Sequence, residues 1–267
     1  MLELVRSTVL LGLRGKAVLG IFLLGACLLA FSYVAADFSP RQPRTVALDV
    51  GLSFLRFNLV LLVIVWIQDL VGKEFERKTV LVSFAYPVGR HAYVVGRYFG
   101  VLLLLALAIL MLGLFLGLVV LMSDHGYVQS QPVSLGAPFA LTLLGIYLDV
   151  AVVASFTLCI ASLSTVTLLP LAMGGMFAIA AHSLGPAMDY LRHGADGDTQ
   201  LVQRFGPALD AIQWVVPDLS RLDWRVWPMY QLPVPVETML WSVLMAGGYI
   251  GLMLVLAVLA CRRRELA

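Results

Sequence analysis

Long apolar runs almost free of charge constrain this chain more than any other feature. They cover about residues 17–36, 50–71, 98–122, 139–163, 168–186 and 237–260. Each matches the ~20 residues that a helix needs to cross a hydrocarbon core about 30 Å thick. A segment in lipid has no water for its backbone, so it must be a helix or a strand of a closed barrel. None of these runs alternates as barrel strands do. The expectation is an all-α integral membrane protein, one six-span domain over 1–267. Its 61% hydrophobic and 13% charged residues agree, since soluble domains carry about 45–50% and about 25%.

Six is an even number, so both termini lie on one side. Eleven Lys and Arg residues (Arg6, Arg14, Lys16, Lys73, Arg77, Lys78, Arg90, Arg97, Arg262, Arg263 and Arg264) flank the spans there, against six on the other side (Arg41, Arg44, Arg192, Arg204, Arg221 and Arg225). Basic residues collect at the cytoplasmic ends of spans. Both termini and the segment between spans two and three are therefore expected in the cytoplasm. A net charge of +2, spread over span ends, gives no reason to expect nucleic acid. The first run, preceded by Arg6, Arg14 and Lys16, has the layout of a signal peptide, but it exceeds the usual core of about 7–15 residues. It is expected to remain as a span.

Residues 1–16 put Leu2, Val5, Val9 and Leu13 on one helical stripe, which suits a helix lying along the membrane surface. Between spans four and five, "SLSTVT" leaves room only for a tight hairpin. The outer loop, 187–235, holds "TQLVQRFGPALDAIQWVV", which could form short helices broken at Pro207, and "PDLSRLDWRVWPMYQLPVP", an ordered turn-rich segment. Trp214, Trp224 and Trp227 are expected at the membrane–water interface, where indoles collect.

Catalytic patterns are missing. "GLRGKA" and "VGKEF" lack the spacing of a phosphate-cradling P-loop, so the chain is not expected to hydrolyse ATP. His91, His125, His182 and His193 are scattered with no metal-ligand spacing, and there is no Gly-x-Ser-x-Gly elbow. Cys27, Cys159 and Cys261 read as buried thiols, not a disulfide frame. No catalytic residue, metal site or cofactor is expected in this chain.

Arg56 and Asp149 lie inside spans two and four. A charge in lipid is costly unless it is paired or faces a wet cavity, so both are expected to face the interior, where they could pair. They serve either a translocation path or a structural link between two helices.

The remaining polar segment is "GKEFERKTVLVSFAYPVGR", 72–90. Glu74 and Lys78 form a favourable i,i+4 pair as span two emerges. A short helix over Thr79 to Ala85, stopped by Pro87, would turn Leu81, Phe84 and Ala85 to one side and Thr79, Val82 and Ser83 to the other. That is much apolar surface for a solvated loop, and it suggests docking on a partner.

This pattern of Glu after span two, a short Thr-apolar helix, then Pro, Arg and Gly before "RYFG" resembles the permease subunits of ATP-binding cassette exporters of the ABC-two type. Within them it is similar to permeases that serve copper-site maturation of nitrous oxide reductase and of other multicopper enzymes; "YPVGR", "VVPDLSRLDW" and "RRREL" carry that likeness. The resemblance implies a half-transporter of the bacterial inner membrane: two permease copies, a homodimer, each on a separate ATPase subunit that holds ATP and Mg. It implies that 1–16 is an elbow helix and that 72–90 is a coupling segment. There Glu74, Glu76, Arg77, Lys78, Thr79, Val80, Leu81, Val82, Ser83, Phe84 and Pro87 would serve the ATPase, with Lys78 standing where many relatives have Gly. The outer loop would suit a periplasmic partner. Two other classes stand beside it: a membrane enzyme or cofactor-handling protein built on the Trp-rich loop and the histidines, and a secondary transporter or channel, for which inverted repeats or broken helices are the expected mark.

Overall fold

The structure is a computed structural model that describes residues 2–39, 41–76, 89–123, 132–164, 166, 168–193, 205, 211–212 and 216–263. Among these residues the chain is entirely helices and their connections. In order they are α1 Leu2–Leu13, α2 Lys16–Asp37, α3 Pro43–Ile67 running on through a π-helical turn Gln68–Gly72 into α4 Lys73–Glu76, α5 Arg90–Met122, α6 Ala137–Leu163, α7 Leu169–Arg192, a 3₁₀ turn Leu219–Leu222, α8 Val226–Tyr230 and α9 Val236–Arg263. Among the described residues six stretches are long and apolar enough to cross a membrane: Val18–Asp37, Pro43–Gly72, His91–Met122, Ala137–Leu163, Leu169–Leu191 and Val236–Arg262. The protein is thus a multi-pass membrane protein. Arg77 to Pro87 of the coupling segment lie outside the described residues, as do Trp214, His125 and Arg204.

Prolines start three of the spans. Pro43, Pro138 and Pro170 sit in the first turn of α3, α6 and α7, where an N–H has no helical partner to lose. The second span therefore begins earlier than its apolar run, and Arg56 lies thirteen residues into α3, deeper than the sequence suggested. At the other end, α7 does not stop at Pro186 but carries it inside the helix and continues to Arg192. The outer loop is shorter by that much. Pro186 has no N–H to give the carbonyl one turn back, that of His182, so the helix passes this point with one backbone bond fewer.

α3 and α6 form the centre. Leu48, Leu52, Leu55, Leu59, Leu62 and Trp66 make a buried stripe on α3, with steps of three and four residues that keep one helix face inward. α6 is the most buried span and α9 the least. α2 packs on α3 and α9 on α6, while their outer faces carry exposed leucines and aromatics such as Leu19, Leu23, Phe31, Trp241 and Leu244. Lipid on these faces costs nothing that water would. Cys27 belongs to such a face and is exposed, contrary to the expectation of burial; Cys159 and Cys261 are buried.

α1 lies on α5 through a different side from the stripe read in the sequence. Thr8 and Gly12 are buried, whereas Leu13 is exposed. The reason is steric. A Cβ on Gly100 of α5 would lie 2.5 Å from Cβ of Thr8, and one on Gly12 would strike Leu104, so two glycines let the helices approach at the Thr8–Gly12 side. Trp66 at the end of α3 then donates its indole N–H to the carbonyl of Gly12 at 3.1 Å.

Candidate functional site

Span two carries a cluster of charged side chains near its middle and another at its end. The first is centred on Arg56. Its Nη1 donates to Asp223 Oδ2 at 3.1 Å, and its Nε lies 3.3 Å from Asp149 Oδ2. The same carboxylate oxygen lies 2.9 Å from Nε2 of His182, whose Nδ1 is 2.7 Å from the carbonyl oxygen of Ala178, one turn back in α7. Asp149 has no exposed side-chain surface. The structure therefore brings Arg56 and Asp149 together and adds His182, Asp223, Arg225 and Asp49. Arg225 donates to Asp223 Oδ1 at 2.9 Å, to Asp49 Oδ1 at 3.0 Å and to Ser53 Oγ at 2.8 Å. Spans two, four and five and the segment before α8 are all tied by these contacts.

The connecting segment is held in place by its own packing. Asp218 accepts from the backbone N–H and the hydroxyl of Ser220 at 3.1 and 2.6 Å, an Asx turn that starts the 3₁₀ turn. Trp224 is 2% exposed, so its indole packs inside the protein instead of facing lipid or water. It covers Gly145 of α6, where a Cβ would lie 2.5 Å from the Leu222 carbonyl oxygen and 3.1 Å from the indole. Thr142 Oγ1 donates to the Trp224 carbonyl at 3.1 Å and Ser242 Oγ of α9 to that of Arg221 at 3.1 Å. A missing side chain on α6 thus decides where the loop lands, and the loop delivers Asp223 and Arg225 to Arg56.

Beyond the spans, the electrostatics of Asp223 and Arg225 are set by each other. Burial acts to raise the pKa of Asp223, but the Arg56 charge and the hydrogen bond from Arg225 outweigh it and hold the carboxyl below its ordinary range. Burial likewise opposes the charge on Arg225, and the hydrogen bond and charge of Asp223, with Asp49, outweigh that and raise it.

A cavity of about 440 Å³ opens beside this cluster between α3 and α7. Arg56, His182, Ser53, Ser183 and Arg225 give it a polar rim, and Phe57, Val60, Leu61, Ile64 and Ile179 an apolar wall. Among the described residues no group of three or more His, Cys, Asp or Glu could hold a metal ion.

The second cluster lies where span two ends. Gln68–Gly72 form a single π turn, the kind of local widening that often marks a functional position. The Gln68 amide is buried there and makes no hydrogen bond among the described residues. Lys73 Nζ meets Asp69 Oδ1 at 2.5 Å. Glu74 pairs with Arg97 of α5 and accepts from the Tyr93 hydroxyl at 2.5 Å, and Arg97 Nη1 donates to Thr8 Oγ1 of α1 at 3.0 Å. Sequence spacing had pointed Glu74 to Lys78, which lies outside the described residues; its described partner Arg97 is 23 residues further along the chain, at the start of α5. Glu74 and the beginning of α5 thus bracket 77–88, with α1 fastened to the same point.

His182 was not singled out by the sequence. A neutral ring among Ala and Ser raises no flag of the kind a charge does, and the usable signal was depth: His182 and Asp149 both lie about a dozen residues into their spans. No protein-family model matches the chain, and no curated protein matches it in sequence.

Proposed function

We propose that the chain is the transmembrane permease subunit of an ATP-binding cassette exporter of the ABC-two type, a non-catalytic subunit that receives work from a separate ATPase. The observation that carries this reading is the Glu74–Arg97–Thr8 junction. It ties the end of span two, the beginning of span three and α1 together at the base of the segment "ERKTVLVSFAYP". A partner that moves this segment then moves three helices as one, and rigid coupling of that kind is what a lever requires. A ligand shifts an equilibrium only by its differential affinity for the two states, and ATP closure supplies that difference through the partner.

In this reading 77–88 and the termini face the cytoplasm of a bacterial inner membrane, and α1 is the elbow helix. The least buried spans, α2 and α9, offer apolar faces to lipid and to a second copy of the chain. The ordered segment 216–235, strapped to α6 and α9, is the surface for a periplasmic partner. Purification from membranes is the test. The chain should bring down an ATPase subunit, and Phe84→Ala with Arg77→Ala should release it without changing the permease's own yield. A chain that purifies alone and works without nucleotide would sink the proposal.

A further inference from the structure

We infer that His182 and Asp149 form a proton-binding site that opens on the cavity between α3 and α7. Hydrogen-bond bookkeeping at the imidazole carries this. Nδ1 is 2.7 Å from a backbone carbonyl oxygen and Nε2 is 2.9 Å from a carboxylate oxygen. A neutral imidazole has one N–H and one bare lone pair, a carbonyl oxygen only accepts, and an ionised carboxylate only accepts. Neutral His182 with ionised Asp149 would press two lone pairs together at one of these contacts. Both contacts are satisfied when the pair holds one further proton, either as imidazolium with carboxylate or as imidazole with carboxylic acid. The two forms differ only in which side of the Nε2 to Oδ2 contact the proton lies.

The charged groups around the pair are Arg56 of α3, which faces Asp149, and Asp223 and Arg225 of the connecting segment, which join it through Arg56; Asp49, half exposed, meets Arg225 at the edge of the cluster. Asp218 and Arg221 form a separate pair. His182 lines the cavity and keeps a quarter of its side chain exposed, while Asp149 is sealed. A proton from solution therefore enters on the ring side of the pair, through the cavity, and the total charge rises by one. When the proton leaves, one of the two ring contacts must open, either to Ala178 within α7 or to Asp149 across spans four and five.

The test uses the full chain in lipid nanodiscs without any ATPase, so its outcome is independent of the proposed transport role. Isotope-labelled histidine and aspartate report ring protonation and carboxyl ionisation by nuclear magnetic resonance, with His182→Gln assigning the ring. At neutral pH the expected result is a doubly protonated His182, or a singly protonated one beside an un-ionised Asp149. In the proton titration, His182→Gln should lose a single proton. A singly protonated His182 beside an ionised Asp149 overturns the inference. If His182→Gln does not fold, the through-space coupling of the Asp149 carboxyl carbon to a ring nitrogen assigns both groups in the unaltered protein.

Discussion

The Arg56 cluster and the Glu74 cluster sit on the same helix and use the same chemistry, yet they hold different things. The Glu74 cluster joins elements that follow one another: the end of span two, the beginning of span three and, through Thr8, the helix before span one. The Arg56 cluster joins elements far apart in the chain, from Asp49 to Arg225, and so fixes the bundle itself. It also borders a cavity, and its Arg56 Nη2 and Asp149 Oδ1 make no hydrogen bond among the described residues. One cluster is a local clamp, the other a tie across the fold; polar atoms without a hydrogen bond among the described residues occur in both, Arg97 Nε as well as Arg56 Nη2. Burial alone does not tell a hinge from a hub; the sequence distance that each ion pair closes does.

The largest effect should come from Arg56→Met, which keeps the bulk and removes the charge. Asp149 and Asp223 then stay buried without their shared cation, and breaking a buried pair from one side costs about 3–5 kcal/mol. Equilibrium unfolding in mixed micelles would read this. Asp149→Asn added to Arg56→Met should recover part of the loss, because one stranded charge disappears. If Arg56→Met proved near neutral, the Arg56 cluster would be no more than a surface pair and the contrast would collapse.

Glu74→Gln should cost less, about 1.5–3 kcal/mol, the worth of a hydrogen bond to a charged group. Gln still accepts from Arg97 and Tyr93, and Glu74 is already partly exposed. The sharper readout is local. A spin label on α1 should loosen relative to one on α5 while distances between α6 and α7 hold. A global loss of order would put Glu74 in the same class as Arg56.

Legibility followed the cost of each feature. The spans stood out because hydrocarbon demands long apolar helices, and Arg56 and Asp149 because a charge in lipid demands an explanation. The π turn at Gln68–Gly72 had no local sign, since it lies where span two meets α6, α1 and α7. The docking side of α1 was hidden as well: a stripe of Leu and Val is what the eye follows, whereas the contact is made at Gly12 and Gly100. Trp224 misled for a similar reason. Its composition suits an interface, but Gly145 leaves a place for it in the interior.

That place can be filled. Gly145→Ala puts a methyl 2.5 Å from the Leu222 carbonyl oxygen, and a backbone oxygen cannot rotate away as a side chain can. Overpacking of this kind costs about 1–3 kcal/mol. The segment carrying Asp223 and Arg225 should lift, and Trp224 emission should shift to the red as water reaches the ring. Trp224 emission unchanged, with stability intact, would mean that the loop does not depend on Gly145 and that the tie is set by its charges alone.

Acid gives the mildest probe. Asp223 has a folded pKa held below its ordinary 3.8, so the unfolded chain takes up its proton first as pH falls. By linkage its contribution is fully present above 3.8 and is lost as pH drops through the lower folded value. Between about pH 5 and about pH 8 this carboxyl binds no proton in either state, and it adds no slope to the stability there. Comparing the unaltered chain with Asp223→Asn isolates the effect: the difference in unfolding free energy should be flat at neutral pH and shrink only below 3.8. Were the difference instead to grow as pH falls through about 6, the folded state would be taking up the proton there, and Arg56 and Arg225 would not be holding Asp223 ionised. The same comparison separates the two clusters, because Asp223→Asn leaves the Glu74 carboxylate in place and any acid dependence that survives belongs to the other carboxylates.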